Sequence, residues 1–295
     1  MLSLSLTTGL SFINFFSQGV RCNSNVITKT FSSSNQNDTN KNSVLSSSSS
    51  SYHLENKPFC QITNSKKMLT SSVHQMQEAD RRAIHELGIP GCVLMYNAGK
   101  TVVDYIEEKY KNAKNVGILC GKGNNAGDGF VIAHLLSLKG RSVRIVCLAS
   151  PEQYVGDAAI YLKLCQNLHL NLIFPKDRNE AIQETEKMKE CDLIIDALLG
   201  TGTRGTVREP FASVITAIPS GIPVVAVDLP SGMNGDTGEI CGVCVKASAT
   251  ISFVRAKAGL VGHPELTGEL IVTDIGMPEV CVDDSEWDQF KSQNV

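Results

Sequence analysis

Short, continuously apolar runs alternate with longer segments of mixed polarity from Leu69 onward. The apolar runs cover residues 116–120, 143–149, 170–174, 192–200, 223–232, 249–254 and 269–276. Runs of this length predict strands that are buried on both faces. Most of the segments between them have apolar residues at helical spacing and predict helices. The pattern therefore predicts a doubly wound α/β domain, in which helices cover both faces of a mostly parallel sheet.

Two helices are predicted before the first strand. The segment "SSVHQMQEADRRAIHELG" begins at a serine pair that suits an N-cap, and Gly88 and Pro90 end it. The segment "VLMYNAGKTVVDYIEEKY" predicts the second helix. Further helices are predicted over residues 130–140, 158–168, 179–190 and 210–218.

The first 66 residues differ in kind from the rest. They are rich in Ser, Asn and Thr, and Asp38 is the one acid before Glu55. Such a segment buries too little apolar surface to offset its ordering entropy, so we expect a disordered or targeting segment. Its composition resembles a transit peptide, which predicts a mitochondrial or cytoplasmic protein, with a plastid or secretion left open. A tail without any address is the alternative. The folded domain is expected over residues 67–280 and a loose C-terminal tail over 281–295.

The overall composition and charge limit the kinds of partner and compartment that we expect for the protein. The net charge of -3 gives no electrostatic reason to expect a nucleic acid. No stretch approaches the roughly 20 apolar residues that a membrane span requires. The ten cysteines form no disulfide-like framework, and the lone pair Cys241 and Cys244 predicts packing thiols in a reducing compartment.

Three predicted strands end in glycine-rich polar loops, each with an aspartate. The loops are "GKGNNAGDG" (121–129), "DALLGTGTRGTVREP" (196–210) and "DLPSGMNGDTG" (228–238). Ligands of such sheets bind outside the carboxyl ends of the strands, where strand order reverses. The candidate site is therefore expected where these loops meet.

The first loop is a near match to the dinucleotide fingerprint G-x-G-x-x-G. Ala126 stands where the third glycine belongs, and no acid closes the following strand. The match is therefore weak evidence for an NAD-dependent oxidoreductase. The glycines still let the backbone approach an anion, and Asn124, Asn125 and Asp128 add donors and acceptors. The alternative role of Asp128 is to N-cap a helix that starts near Gly129.

The second loop combines Gly200, Gly202 and Gly205 with three hydroxyls and Arg204. Backbone amides and a guanidinium form a plausible phosphate cradle. A flexible surface loop is the alternative, and Arg208 is assigned a structural role at a helix start.

Asp196 and Asp228 each follow an apolar strand. Partial desolvation raises the pKa of a carboxyl and suits it to acid/base chemistry. Carboxylates that converge on one sheet edge repel each other unless they share a cation or a proton. The oxygens of Asn125, Asp196 and Ser231 suit a hard cation, with K⁺, Na⁺ and Mg²⁺ all open at this point.

Four separated segments together resemble the YjeF N-terminal domain family, the NAD(P)H-hydrate epimerases, called apolipoprotein A-I-binding proteins in animals. The segments are "MQEADRRAIHELGIPGCVLMYNAG", "CGKGNNAGDGFVIAHLL", "DALLGTGTRGTVREPF" and "AVDLPSGMNGDTG". The resemblance covers about Leu69 to Pro278. It implies a Rossmann-like fold and an isomerase that interconverts the R and S epimers of hydrated NADH and NADPH. A separate dehydratase then acts on the S form, and a homodimer is expected.

The resemblance also implies a set of site residues. Those that would contact the substrate are Asn124, Asn125, Ala126, Gly127, Asp128, Gly200, Thr201, Gly202, Thr203, Arg204, Gly205, Thr206 and Asp228. Asn125, Asp196 and Ser231 would hold one potassium ion per subunit. Asp228 is the first candidate for the proton donor that helps the hydroxyl leave, and Asp196 is the second. Arg204 departs from the lysine of many animal members.

Two other functions compete with the epimerase. Related domains act as non-catalytic dimerising modules, so a nucleotide-binding scaffold on the same fold is one alternative. The presence of Asp128, Asp196, Asp228 and Ser231 favours the enzyme. An NAD(P)-dependent oxidoreductase is the other, and the glycine spacing argues against it.

Overall fold

The computed structural model describes residues 69–293. The prediction for residues 1–66, including their destination, lies outside this range. The strands are β1 (Thr70–Ser71), β2 (Asn115–Cys120), β3 (Ser142–Cys147), β4 (Asn171–Ile173), β5 (Leu193–Ala197), β6 (Val224–Val227), β7 (Ala249–Phe253), β8 (Ala256–Lys257) and β9 (Glu269–Thr273). The α-helices are α1 (Val73–Arg81), α2 (Gly91–Lys109), α3 (Asn124–Leu138), α4 (Gly156–Asn167), α5 (Arg178–Glu186), α6 (Phe211–Ala217), α7 (Pro264–Thr267) and α8 (Asp284–Gln293).

The main sheet has seven strands in the order β4-β3-β2-β5-β6-β7-β9. Every neighbouring pair is parallel. The strands β1 and β8 form a separate parallel pair. All seven strands predicted from the apolar runs are present, with ends shifted by a few residues. The prediction of a doubly wound parallel sheet is confirmed.

Alternate residues of the central strands belong to two apolar clusters. Ile118 of β2 packs in the cluster that includes α2, α3 and α4, and its neighbour Leu119 packs in the cluster of α5 and α6. In β5, Ile195 packs in the first of these clusters and Ile194 packs in the second. All four side chains are completely buried. Each contributes roughly 1.5–3 kcal/mol by leaving water, so the sheet is stabilised from both faces.

The strand order reverses between β2 and β5. The chain runs from β2 outward through β3 and β4, and it returns to β5 on the other side of β2. The two strand ends come so close that a Cβ on Gly121 would lie 1.8 Å from the carbonyl oxygen of Leu198. Only glycine fits there, so the first and second glycine loops meet at this crevice.

The helix after the first loop starts earlier than predicted. Gly123 is the N-cap of α3, and Asn124 and Asn125 occupy its first turn. Asp128 therefore lies inside the helix, and the alternative that it caps a helix starting near Gly129 is wrong. The N-cap predicted for the first helix is confirmed, since Ser72 forms a capping box with Gln75.

The C-terminal segment is ordered, and the prediction of a loose tail over residues 281–295 is wrong for its described part. Trp287 of α8 is 4% exposed and stacks on Phe290 at 5.5 Å between ring centroids. The Arg82 guanidinium lies over the Trp287 ring and donates to the Cys281 carbonyl at 3.1 Å. The i, i+3 spacing of these two aromatic residues gives an otherwise acidic segment an apolar face.

Within residues 69–293, no helix has both the length and the apolar character that crossing a membrane requires.

Candidate active site

Two adjoining cavities open at the carboxyl edge of the sheet. The smaller has a volume of about 200 Å³ and the larger about 650 Å³. Small-molecule sites occupy roughly 300–1,000 Å³, so the two together suit a ligand of nucleotide size. Residues that line both are Gln77, Asp80, Asn124, Asn125, Gly200 and Thr201.

The predicted site residues divide between the two cavities. Asp128 and Asp228 line the smaller one. The larger cavity is lined by four residues of the second loop, Gly202, Thr203, Arg204 and Thr206. Ala126, Gly127 and Gly205 are absent from both linings. Ala126 and Gly127 are buried in α3, and Gly205 forms a turn at φ 66°. Their predicted contacts with substrate stay predictions.

Asp228 has an unusual backbone. Its φ is 69°, and the Leu229 N–H donates across it to the Val227 carbonyl at 2.9 Å. Val254, at the end of the adjacent strand β7, repeats this arrangement with φ 65° and a 2.8 Å bond from the Arg255 N–H to the Phe253 carbonyl. Tight three-residue turns with positive φ are strained and concentrate at functional sites. Both turned residues line the smaller cavity.

An ion pair fixes the Asp228 carboxylate. The Lys257 ammonium of β8 pairs with Asp228 Oδ1, and the two side chains are 3% and 15% exposed. The Phe253 N–H also donates to Oδ1, at 3.3 Å. The ammonium reaches the Phe253 carbonyl at 3.3 Å as well. Both donors stabilise the charged carboxylate, which favours substrate binding by Asp228 over the predicted role of proton donor.

Three further carboxyls line the smaller cavity, those of Asp80, Asp128 and Asp157. Burial raises the pKa of Asp80 to about 6, the Asp228 charge adds to this, and Lys257 opposes it. The Asp80 side chain is also exposed to solvent at the cavity mouth, which reduces this rise of its pKa. Burial, together with Asp228 and Asp80, raises the pKa of Asp128 well above its usual range. Four carboxyls thus face one ammonium, which favours a protonated Asp128.

Asp196 lies beneath the cavities. It is completely buried and lines neither of them. Ser231 donates from Oγ to Oδ1 at 2.6 Å and from its N–H to Oδ2 at 2.8 Å. Burial raises the pKa of Asp196 to about 6 against the effect of these hydrogen bonds. Its predicted role as second proton donor stays a prediction, and the geometry favours a supporting role.

Asn125 contributes an unsatisfied oxygen next to this pair. Its Nδ2 donates to the Leu199 carbonyl at 3.1 Å, while its buried Oδ1 has no partner among the described residues. The Ser231 hydroxyl is 3.3 Å from the same Leu199 carbonyl. The structure thus brings together the three residues predicted to hold a cation. A buried oxygen without a donor suits a cation, because buried polar atoms are almost always partnered.

One carboxylate among neutral oxygens suits a monovalent ion better than a divalent one. In residues 69–293, no cluster of three or more His, Cys, Asp or Glu side chains could hold a metal. The potassium site of Asn125, Asp196 and Ser231 stays a prediction.

Sequence reasoning missed Asp80 and Lys257. Lys257 follows the apolar strand at 249–254, so inspection of what that strand delivers at its carboxyl end would have found it. Asp80 lies on a helix before the first strand of the sheet, and no rule of strand order places that helix over the cavity. Only the folded arrangement assigns it to the site.

Comparison with known proteins identifies the family of the chain. The model of the family "YjeF-related protein N-terminus" matches residues 91–259. The NAD(P)H-hydrate epimerase of Rhodopirellula baltica is 39% identical over 207 residues, which cover 69% of this chain and 83% of that protein. The bifunctional NAD(P)H-hydrate repair enzyme Nnr of Moorella thermoacetica is 40% identical over 214 residues, 70% of this chain. The chain spans 40% of the length of that relative.

A solved structure has the same fold. The crystal structure of yeast ynu0 superimposes with a TM-score of 0.58 at 22% identity, covering 65% of this chain and 83% of that one. Together with the family match over residues 91–259, these similarities establish that the chain belongs to the YjeF N-terminal domain family.

Proposed function

We propose that the protein is an NAD(P)H-hydrate epimerase, which interconverts the R and S epimers of hydrated NADH and NADPH. The observation that carries the proposal is the smaller cavity, where four carboxyls and one ammonium face a common space. The naming of the Rhodopirellula relative as an epimerase supports the same reaction. The larger cavity, with Thr203, Arg204 and Thr206, takes the phosphorylated part of the nucleotide.

The chemistry follows from where charge develops. The hydroxyl of the hydrated ring sits on a carbon next to the ring nitrogen, and it leaves as water once it has accepted a proton. The cation left behind is stabilised by the negative charge of the Asp228 carboxylate, held in place by Lys257. Water then returns to either face and gives up a proton to a carboxylate. Positioned acids and bases contribute roughly 10²–10⁴-fold to such steps.

Potassium is the cofactor of the proposal. Asn125, Asp196 and Ser231 would hold one ion per subunit, and the unpartnered Asn125 Oδ1 supports this. When bound, the ion supplies a fixed positive charge that orients the substrate beside the cavity. Asp196 and Ser231 keep the strand ends of β5 and β6 together, and the second and third loops are thereby held in register.

The proposal extends to partners and location. An epimerase that only exchanges two inactive epimers needs a second enzyme that consumes one of them, and we assign this role to a separate dehydratase. The homodimer and the mitochondrial or cytoplasmic location belong to the proposal as predictions.

Chromatographic separation of the two epimers tests the function. The full-length chain is incubated with purified R-epimer of hydrated NADH, with and without potassium. We expect the S-epimer to appear faster than it does spontaneously, with a further acceleration by potassium. A folded protein that binds the hydrated nucleotide without accelerating the exchange would support the scaffold alternative.

A further inference from the structure

The helix α1 forms part of the wall of both cavities. Gln77 and Asp80 of this helix line the shared opening, whereas the other carboxyls come from α3, from α4 and from the end of β6. Asp80 is the one carboxyl among the described residues that lines both cavities. It faces the space between the cavities from a different element than Asp128 does.

Among the described residues, no cationic side chain forms an ion pair with Asp80 or Asp128. Lys257 is committed to Asp228 by their ion pair. No side-chain hydrogen bond to Asp80 or Asp128 comes from the described residues. The other charged groups of the two linings are Asp157, Lys122, Arg204 and Arg208, and the three cations all belong to the larger cavity. Carboxyls in this position avoid repulsion by holding one proton between them.

The segment that carries Asp80 is anchored to the strand that carries Lys257. Ser71 of β1 pairs with Lys257 of β8, and Thr70 pairs with Ala256. The Val73 N–H donates to Asp236 Oδ1 at 2.7 Å, just after the Ser72 capping box. At its other end, α1 continues into the π-helical turn Arg82–Glu86, where Arg82 donates to Asp284 of α8 and lies over the Trp287 ring. Asp80 is thus fixed relative to the Asp228 ion pair.

We propose that Asp80 is a further catalytic residue, which together with Asp128 moves the hydroxyl proton of the hydrated ring. This inference rests on the proposed epimerase function. Protonated Asp128 donates a proton to the ring hydroxyl, the C–O bond breaks, and water and a ring cation result. The released water exchanges with solvent, a solvent water attacks the opposite face, a C–O bond forms, and the Asp80 carboxylate takes the released proton. Proton transfer from Asp80 back to Asp128 through the cavity restores the starting state.

The environments of the two carboxyls support this division of roles. Burial and neighbouring charges raise the pKa of Asp128 further than they raise that of Asp80, which is open to solvent. A pair of titratable groups with separated pKa values can supply an acid and a base at one pH.

Substitution of Asp80 tests the proposal. In the full-length protein, Asp80→Asn is expected to lower kcat for R-to-S exchange by about 100-fold, with little change in KM. The base works when ionised, so wild-type activity should fall as the pH drops through the raised pKa of Asp80. The residual activity of Asp80→Asn should lack this fall, and Asp80→Glu should keep the fall and recover part of the rate. A purely structural role would leave the pH profile unchanged.

Glu78→Gln is the matched control. Glu78 lies on the same helix, pairs with Arg81 at 2.9 Å and lines neither cavity. Its removal should leave rate and pH profile unchanged. An active wild type with an Asp80→Asn variant within about threefold of it, or with the same pH profile, would overturn the role of Asp80 alone. An inactive folded wild type would overturn the epimerase function instead.

Discussion

The ends of β5 and β6 carry two aspartates that look alike in the sequence and differ in the fold. Asp196 and Asp228 each follow an apolar strand, and each precedes a leucine one or two residues on. In the structure, Asp196 is closed off under Ser231, with its oxygens bonded to a hydroxyl and backbone amides. Asp228 turns into the cavity and pairs with Lys257.

The difference between these strand ends comes from their partners. Neutral donors surround Asp196, so it ties the loops together and presents oxygens near Asn125. A buried ammonium compensates Asp228 and lets a charged carboxylate remain at the cavity. A strand end therefore fixes where an aspartate lies, and its neighbours in space determine what it can do.

The largest expected effect is the loss of stability in Lys257→Met. This substitution removes the cation that pairs with Asp228 at the end of β6 and leaves Asp196 at the end of β5 unchanged. The change leaves the Asp228 carboxylate buried without its partner, which costs about 3–5 kcal/mol. Urea unfolding of the full-length protein should show this loss. Adding Asp228→Asn should restore much of the stability, because the unpaired charge is then gone.

Lys291→Met is the control for Lys257→Met. Lys291 is 53% exposed and pairs with Glu86 at the surface at 3.1 Å. Such a pair contributes about 0–1 kcal/mol, so its loss should hardly change the urea midpoint. Equal losses of stability in the two lysine variants would contradict the claim that Lys257 compensates the charge of Asp228.

A second experiment separates the two aspartates by function. Asp228→Asn should lower epimerase activity by about 100-fold at any potassium concentration, because it removes the charge that stabilises the ring cation. Asp196→Asn should instead raise the potassium concentration needed for half-maximal activity, since it alters the proposed ion site. Activity of both variants should be titrated with potassium chloride at constant ionic strength. If Asp228→Asn and Asp196→Asn responded to potassium in the same way, the proposed difference in role between the two aspartates would be contradicted.

The smallest expected effect concerns stability against pH. Asp128 has a raised pKa in the folded state, so between about pH 4, its ordinary value, and that raised pKa the folded state binds more protons than the unfolded one. The free energy of unfolding should therefore fall as pH rises through this window. Asp128→Asn should make this decline shallower, as measured by urea unfolding from pH 4.5 to 8.

The exposed Asp288 provides the control for the pH experiment. Asp288→Asn should keep the wild-type slope. A wild-type slope in Asp128→Asn as well would contradict the enclosure of Asp128 among the cavity carboxyls.

Much of the fold could be predicted because the apolar runs of a doubly covered sheet are continuous. The strand containing Ile118 and Leu119 was identifiable since both faces of β2 are buried. The glycine loops predicted where the site lies at the carboxyl edge, whereas the reversal of strand order between β2 and β5 was seen only in the structure. The short pair β1 and β8 carries no such pattern, because two residues are too few for any periodicity.

The site could be predicted only where strand ends converge. Asn125, Asp128 and Asp228 lie on that edge and were identified. Asp80 reaches the cavity through α1, and the position of α1 depends on long-range contacts such as the Val73 bond to Asp236, 163 residues away. The fold of residues 284–293 was missed because two aromatics spaced for a helix were outweighed by the surrounding acids.

Epimerisation in water enriched in ¹⁸O tests the central claim most directly, that the cavity exchanges the ring hydroxyl through loss and return of water. The full-length protein is incubated with the R-epimer of hydrated NADH, and the label in each epimer is followed by mass spectrometry. The account predicts ¹⁸O in the S-epimer as fast as it forms, and slow labelling with Asp228→Asn. Rapid formation of an unlabelled S-epimer would contradict it, because the hydroxyl oxygen would then stay attached throughout.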